Sequence, residues 1–237
     1  MNTTNRTGYD NQPSFLPDGS GILYTAIHNE PPGPHAPTQA DIFLYDFVRK
    51  KNKRITSTEE SEYSAAVMPE GMTFSVVRVE PDSTQRLWKF AMSGENPSIV
   101  LHNVQPVGYH AWVDSKTVAL FVLGNPPTLQ LANIKSGEAE VIEANIGRSL
   151  HKIPGRQSVS FVHKVSQGEW WIKELDVVTR AVMSIVRTLE GSEDYAWTPD
   201  GTIIMGQGSK LFCFAPGRSN EWTEIADFSS LNVKGIT

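Results

Sequence analysis

Residues 12–25, QPSFLPDGSGILYT, run from a short apolar stretch through a Pro-Asp-Gly corner into a second apolar stretch. That pattern predicts two antiparallel strands joined by a tight turn. Proline fixes φ at the first corner, Asp bonds its own backbone, and Gly supplies positive φ at little steric cost. The unit recurs as SAAVMPEGMTFSVV (64–77), YHAWVDSKTVALFV (109–122), SLHKIPGRQSVSFV (149–162) and DYAWTPDGTIIMGQ (194–207). At the turn, Pro17, Pro69, Asp114, Pro154 and Pro199 are spaced by 52, 45, 40 and 45 residues. The third and fourth copies carry degenerate turns, Asp114-Ser115-Lys116 and Pro154-Gly155-Arg156.

Each hairpin is followed by a third apolar strand: DIFLYD (41–46), RLWKFA (86–91), LQLANI (129–134), WWIKEL (170–175) and KLFCFA (210–215). A more ragged fourth follows at RIT (54–56), SIVL (98–101), AEVI (139–142), VMSIV (182–186) and EWTEI (221–225). No window of comparable length combines helical periodicity with N-terminal capping. Four antiparallel strands per repeat, at a period near forty-five residues, predict an all-β chain folded as a β-propeller. The blades fall at about 9–56, 61–101, 107–142, 147–186 and 193–226, with a tail at 227–237, in one domain spanning 1–237. TNRT (4–7) reads as the close of a preceding fourth strand, and LNVKGIT (231–237) as the lead-in to a further first strand. Five blades are therefore expected, either as a five-bladed ring or as part of a truncated six-bladed one.

Hairpins built on a P-D-G turn, then D-I-x-x-x-D, then an R-x-T strand, resemble the repeats of the Tol translocation protein B (TolB) propeller family. The likeness is strongest in PSFLPDGSGILYT, DIFLYD and RIT of blade one and in WTPDG of blade five. It extends over the whole chain at the level of repeats, without the N-terminal α/β domain of TolB. The resemblance implies a propeller and an exported bacterial protein, periplasmic or extracellular, whose export signal is not in this chain. It implies little about activity, because this repeat serves many functions.

Composition narrows the partners. With 237 residues, a net charge of −5 and 20% charged residues, the chain lacks the basic field that nucleic-acid binding needs. The run RKKNKR (49–54) reads as a solvated hairpin tip. No apolar stretch is long enough to span a bilayer, no signal peptide is seen, and a monomer is expected. Cys213, the single cysteine, lies in the alternating run LFCFA and reads as a core thiol.

Strand order places the P-D-G turns on one face of the propeller. The inter-blade connections and the second-to-third-strand loops share the other. Five and six residues before each turn, the channel mouth is expected to present Asn11 and Gln12, Tyr63 and Ser64, Gly108 and Tyr109, Arg148 and Ser149, Glu193 and Asp194. His110 and His151 fall just inside, and the proline-rich connection 27–40 should carry His28, Glu30 and His35 over the same mouth. The candidate ligand-binding set is thus Asn11, His28, His35, Tyr63, Tyr109, His110, Arg148, His151, Glu193 and Asp194. No metal or cofactor is expected: His28 and His35 lack a zinc spacing, and Asp10, Glu193 and Asp194 make a weak calcium set.

Glycoside hydrolysis needs two carboxylates fixed across the scissile bond. The innermost strands PSFLP, AAVMP, HAWVD, LHKIP and YAWTP offer only Asp114, in a turn, and the mouth offers Asp10, Glu62, Glu193 and Asp194. G-x-S-x-G, H-E-x-x-H, P-loop and G-x-G-x-x-G patterns are all missing. The sequence therefore reads as a binding or scaffold propeller without catalytic residues, recognising a protein segment or a glycan. The alternative is a hydrolase using the mouth carboxylates. Phe15, Trp112 and Trp197, each two residues before a turn, are expected in the core.

Overall fold

Strand pairing follows the repeat. The structure, a computed structural model, describes residues 8–29, 38–231, 233, 235 and 236. Blade one is β1 (Asp10–Phe15), β2 (Gly21–Asn29), β3 (Thr38–Asp46) and β4 (Lys51–Arg54). Blade two is β5 (Ser61–Val67), β6 (Thr73–Val79), β7 (Gln85–Ala91) and β8 (Ser98–Ile99). Blade three is β9 (Val107–Trp112), β10 (Thr117–Val122), β11 (Thr128–Asn133) and β12 (Ala139–Ala144). Blade four is β13 (Ile146–Lys152), β14 (Ser158–Ser166), β15 (Glu169–Asp176) and β16 (Val182–Arg187). Blade five is β17 (Tyr195–Trp197), β18 (Ile203–Gln207), β19 (Lys210–Phe214) and β20 (Thr223–Asp227). Each blade is one four-stranded sheet with its strands in chain order. The fold is the all-β propeller that the repeat predicted, with five blades; among the described residues the one helical element is a 3-10 turn at Ser229–Leu231.

The turn chemistry works as the residue types require. In blade one Gly19 takes φ 70° and donates to Leu16 O, while Asp18 Oδ1 accepts from the N–H of Ser20 at 3.0 Å. Blade three has no glycine there. Asp114 closes that turn instead, accepting from the N–H groups of Lys116 and Thr117 at 2.8 and 2.9 Å.

The chain divides into two compact units. The first comprises residues up to Gly108 with Ile134–Glu138, and the second Tyr109–Asn133 with Ala139–Thr237. In the first, Leu23, Ile42 and Ile55 of blade one pack on Ala65, Phe74, Val76 and Phe90 of blade two. Phe74 and Phe90 are fully buried and stacked 5.6 Å apart. Burial of such a ring contributes about 1.5–3 kcal/mol. In the second unit β14 faces two ways. Val159 and Phe161 join the cluster with Ala119, Leu129 and Leu131 of blade three, and Val162 joins Tyr195, Ile203 and Met205 of blade five. A strand buried on both faces can carry apolar residues on each, which is why Phe161 and Val162 stand side by side in VSFV, where the polar member, Ser160, is also buried.

Four local expectations change. Phe15 is 69% exposed, whereas Trp112 is buried and Trp197 half-buried. The β1 register is broken between Asn11 and Ser14, where Gln12 takes φ 56°, and Phe15 then pairs with Ile22. Ile22 belongs to the Tyr24–Tyr45 face of blade one, away from blade two, and Phe15 rests on Phe47 at 6.1 Å. The connection 27–40 is shorter than read, because β2 and β3 extend their ladder to Asn29 opposite Thr38. The basic run is half strand, with Lys51–Arg54 forming β4. Cys213 is half-buried rather than enclosed. In the tail, the N–H of Ile236 donates to Gly208 O beside blade five.

Candidate functional site

Within the second unit a cleft of about 730 Å³ opens among the ends of blades three, four and five. Tyr109, Phe121 and Pro127 come from blade three, and Glu193 from the connection leading into β17. Blade four supplies Asn145–Arg148 on one side and Lys164–Gln167 with Trp170 on the other. These segments are the inter-blade connections and second-to-third-strand loops, at the opposite ends of the strands from the P-D-G turns. Rigid strands thus position variable loops around a concavity, the usual arrangement of a binding site.

The polar groups of the cleft are already assembled. Arg148 and Glu193 stand one repeat apart, each six residues before its blade's turn. The Arg148 guanidinium donates from Nε to Asp194 Oδ1 at 3.1 Å and from Nη2 to Asp194 Oδ2. Such a two-pronged pair fixes the plane of both groups. The Asp194 carboxylate raises the affinity of Arg148 for its proton above the usual value. Glu193 Oε2 accepts from the Arg148 backbone N–H at 3.3 Å and lies 2.9 Å from Lys164 Nζ. Glu193 Oε1 faces Arg148 Nη1 at 3.7 Å. Lys164 Nζ also sits 4.3 Å above the Trp170 ring, a cation–π contact. Gly147 is needed for this closeness: a Cβ there would come within 2.4 Å of Glu193 Oε2.

Apolar surface lies alongside. Tyr109 meets Phe121 edge-on at 5.9 Å, and Tyr109 and Trp170 are half-buried at the cleft wall. The site therefore offers donors, acceptors and flat apolar faces in one concavity.

The candidate residues separate into groups. Tyr109, Arg148 and Glu193 line the cleft, and Asp194 is held against it by Arg148. His110 and His151 do not line it. Burial lowers the pKa of each to about 4. His151 Nε2 is 3.1 Å from Ser149 Oγ, and its ring is edge-on to Tyr195 at 4.7 Å. Below it, Ser160 Oγ accepts from both Tyr195 Oη and Trp197 Nε1 at 2.8 Å. This Ser–His pair belongs to the packing between blades four and five. Asn11 is exposed on β1 and accepts from the N–H of Gln12 at 2.7 Å. His28 lies on β2 opposite Gln39, while Glu30 and His35 lie outside the described residues.

Tyr63 lines a separate cavity of about 370 Å³ in the first unit, with Glu59, Glu60, Ser61, Val79, Glu80 and Pro81. Beside it Glu62, expected at the mouth, is wholly buried. The Thr58 hydroxyl donates to Glu62 Oε1, and Arg78 Nε lies 3.3 Å from the same oxygen. Arg78 also pairs with Glu60 at 2.5 Å and covers the Trp88 ring at 4.6 Å. Desolvation raises the Glu62 pKa to about 7. Among the described residues no group of three His, Cys, Asp or Glu side chains could hold a metal ion.

Lys164, Gln167 and Trp170 were not among the sequence candidates. Their signal is HKVSQGEWW, a hairpin whose tip joins a cation to an aromatic pair. The residue rule counted from the turn sees only first strands, so it passes over the loop on the far side of the same cleft.

No protein-family model matches the chain, nor does any curated protein sequence. Solved structures do resemble it. TolB from Acinetobacter baumannii is similar with a TM-score of 0.68 at 15% identity, over 91% of this chain and 56% of that protein. A protein assigned as TolB from Agrobacterium tumefaciens gives 0.76 at 12% identity, over 97% of this chain and 83% of the other. Oligogalacturonate lyase from Vibrio parahaemolyticus gives 0.58 at 17% identity, over 93% and 65%. The chain thus has a TolB-like propeller fold, as the P-D-G repeats implied, and it spans just over half the length of the Acinetobacter protein. At these identities the likeness is one of fold. Among the described residues no helix is long and apolar enough to cross a membrane.

Proposed function

We propose that this chain is a binding or scaffold propeller that holds a protein segment or a glycan in the cleft of Tyr109, Arg148, Lys164, Trp170 and Glu193. The observation that carries the reading is the ordered Arg148–Asp194–Glu193–Lys164 cluster beside half-buried aromatic rings. Side chains fixed before a ligand arrives lose little entropy when it binds. The TolB-like fold supports an exported protein, periplasmic or extracellular in a bacterium, and the net charge of −5 supports a partner other than nucleic acid.

The competing reading is a hydrolase, and proteins with catalytic names share the fold, the Vibrio lyase among them. A general acid must present a proton to its leaving group. In this cleft both oxygens of Asp194 accept from Arg148, and Glu193 Oε2 accepts from Arg148 N–H beside Lys164 Nζ. Those partners suit a fixed recognition surface better than a proton-transfer pair.

An array carrying both peptides and oligosaccharides tests the proposal. Binding by a member of either class that is lost in Tyr109→Ala and Arg148→Ala, with folding intact by near-ultraviolet circular dichroism, is the expected result. Turnover of an arrayed glycan abolished by Glu193→Gln would reverse it.

A further inference from the structure

We infer that the cleft recognises a neutral pyranose glycan through one hydroxyl group that bridges Arg148 and Glu193. This rests on the binding reading above and names its ligand class. Arg148 Nη1 and Glu193 Oε1 are 3.7 Å apart, too far for a direct hydrogen bond. Every other polar atom of the pair is engaged: Arg148 Nε and Nη2 with Asp194, and Glu193 Oε2 with Lys164 and the Arg148 N–H. The Nη1 amino group and the Oε1 oxygen are thus left facing each other across a gap. A single hydroxyl oxygen placed about 2.8 Å from each would accept from Nη1 and donate to Oε1. A hydroxyl can do both at once. A carboxylate has no proton for Oε1 and would be repelled by it, and an ammonium has no lone pair for Nη1.

Charge balance points the same way. Arg148 and Lys164 carry two positive charges, and Glu193 and Asp194 carry two negative ones. The cluster therefore has no net charge to attract an ionic ligand, while its hydrogen bonds to a neutral group are charge-assisted. Tyr109 and Trp170 supply the other half of the match. A pyranose ring presents C–H groups on its flat faces and hydroxyls at its rim, so rings at the wall and a polar pair at the edge fit its two sides.

Three immobilised panels test this: neutral hexose and N-acetylhexosamine oligosaccharides, oligouronates, and random peptides. Tryptophan fluorescence and calorimetry then follow the best binder, with Trp170→Phe to assign the signal. The neutral series is expected to bind, and monodeoxy analogues should reveal one hydroxyl whose removal weakens affinity about tenfold or more. Arg148→Lys, which keeps the charge but loses the fork, should make that hydroxyl's removal nearly silent. Preference for oligouronates, or a peptide bound at Arg148, would overturn the inference and leave the binding reading standing. Uniform small losses across all monodeoxy analogues would also overturn it. If no panel yields binding that depends on Tyr109 or Arg148, the binding reading itself falls.

Discussion

Gln12 and Ser64 occupy equivalent positions in successive repeats, 52 residues apart, and the side chain of the first bonds the backbone of the second. Gln12 Oε1 accepts from the Ser64 N–H at 3.0 Å and from Thr25 Oγ1 at 2.9 Å. Both residues sit in the left-handed region, at φ 56° and 54°, where a register shift interrupts the first strand. The bulge turns an N–H of the second blade out of its own ladder, and Gln12 supplies its partner.

That relationship gives an inverted ranking of two substitutions. Gln12→Ala removes the acceptor and leaves a residue with a Cβ in the left-handed region. Gln12→Gly removes the same acceptor but relieves the backbone, a difference of about 1 kcal/mol. Urea denaturation should place the Ala variant about 1 kcal/mol below the parent and the Gly variant close to it. A Gly variant less stable than the Ala variant would mean that the bulge carries no strain.

Glu62 gives a pH dependence of defined sign. Burial raises its folded pKa to about 7 from an unfolded value of 4.5, so the folded state holds the proton more tightly. Its destabilising effect is absent below the unfolded pKa, grows between the two values, and is complete above 7. Over that window the cost is of order 3 kcal/mol. Glu62→Gln keeps an acceptor for the Thr58 hydroxyl and removes the ionisation. The stability difference between variant and parent should therefore widen in the variant's favour from pH 5 to pH 8. A difference flat across that range would contradict the burial argument.

His110 and His151 act in the opposite direction at lower pH. Each is held neutral by burial, with a folded pKa of about 4 against 6.5 unfolded. The unfolded chain binds protons that the folded chain refuses, so stability falls as pH drops from 6.5 toward 4. Each imidazole accounts for up to about 3 kcal/mol. Nitrogen NMR should find both rings neutral at pH 5 in folded protein, and charged rings in a folded spectrum would refute this.

The aromatic positions show how much of the fold could be read directly. The repeat of turn residues locates all five blades, because Pro, Asp and Gly act locally and at least one of them remains even in the degenerate turns of blades three and four. Phe15 departs from the rule through its neighbours, not its register: it pairs with Ile22 just as Val67 pairs with Phe74 and Trp197 with Ile203. Val67 and Trp197 pack on residues of the preceding blade, whereas the Ile22 face of blade one clusters, among the described residues, with blade-one side chains, and nothing in NQPSF marks that difference. Phe15→Ala should shift the melting midpoint little. Trp112→Ala, at a buried position, should cost about 3–5 kcal/mol. Trp197→Ala should cost about 2–4 kcal/mol, since it also removes one of two donors to Ser160.

The cleft was half legible for a related reason. Counting from the turns found Tyr109, Arg148, Glu193 and Asp194, whose positions repeat with the blades. Lys164 and Trp170 pair across β14 and β15 beside a hairpin loop of two residues, against five residues in blades two and three, so no fixed count from the turn leads to them. Glu62 matched the carboxylate pattern of the mouth, yet its side chain turns inward to Arg78. Only three-dimensional pairing distinguishes those outcomes.

Opposite ends of the strands should therefore respond differently to mutation. Arg148 and Tyr109 lie in the cleft, where Ala substitutions should weaken ligand binding by about 1–2 kcal/mol. The Arg148–Asp194 pair is half exposed, so its loss should cost stability only about 0.2–1 kcal/mol. Asp18 and Asp200 sit in the turns at the far ends. Their carboxylates are held below the usual range, Asp18 first by the Ser20 N–H and Asp200 first by the Thr198 hydroxyl. Asp18→Ala and Asp200→Ala should loosen those turns and leave affinity unchanged. Calorimetric titration of a cleft ligand against all four variants separates the two ends. Equal losses from the turn variants and the cleft variants would show that binding reports general stability rather than contact at Arg148 and Tyr109.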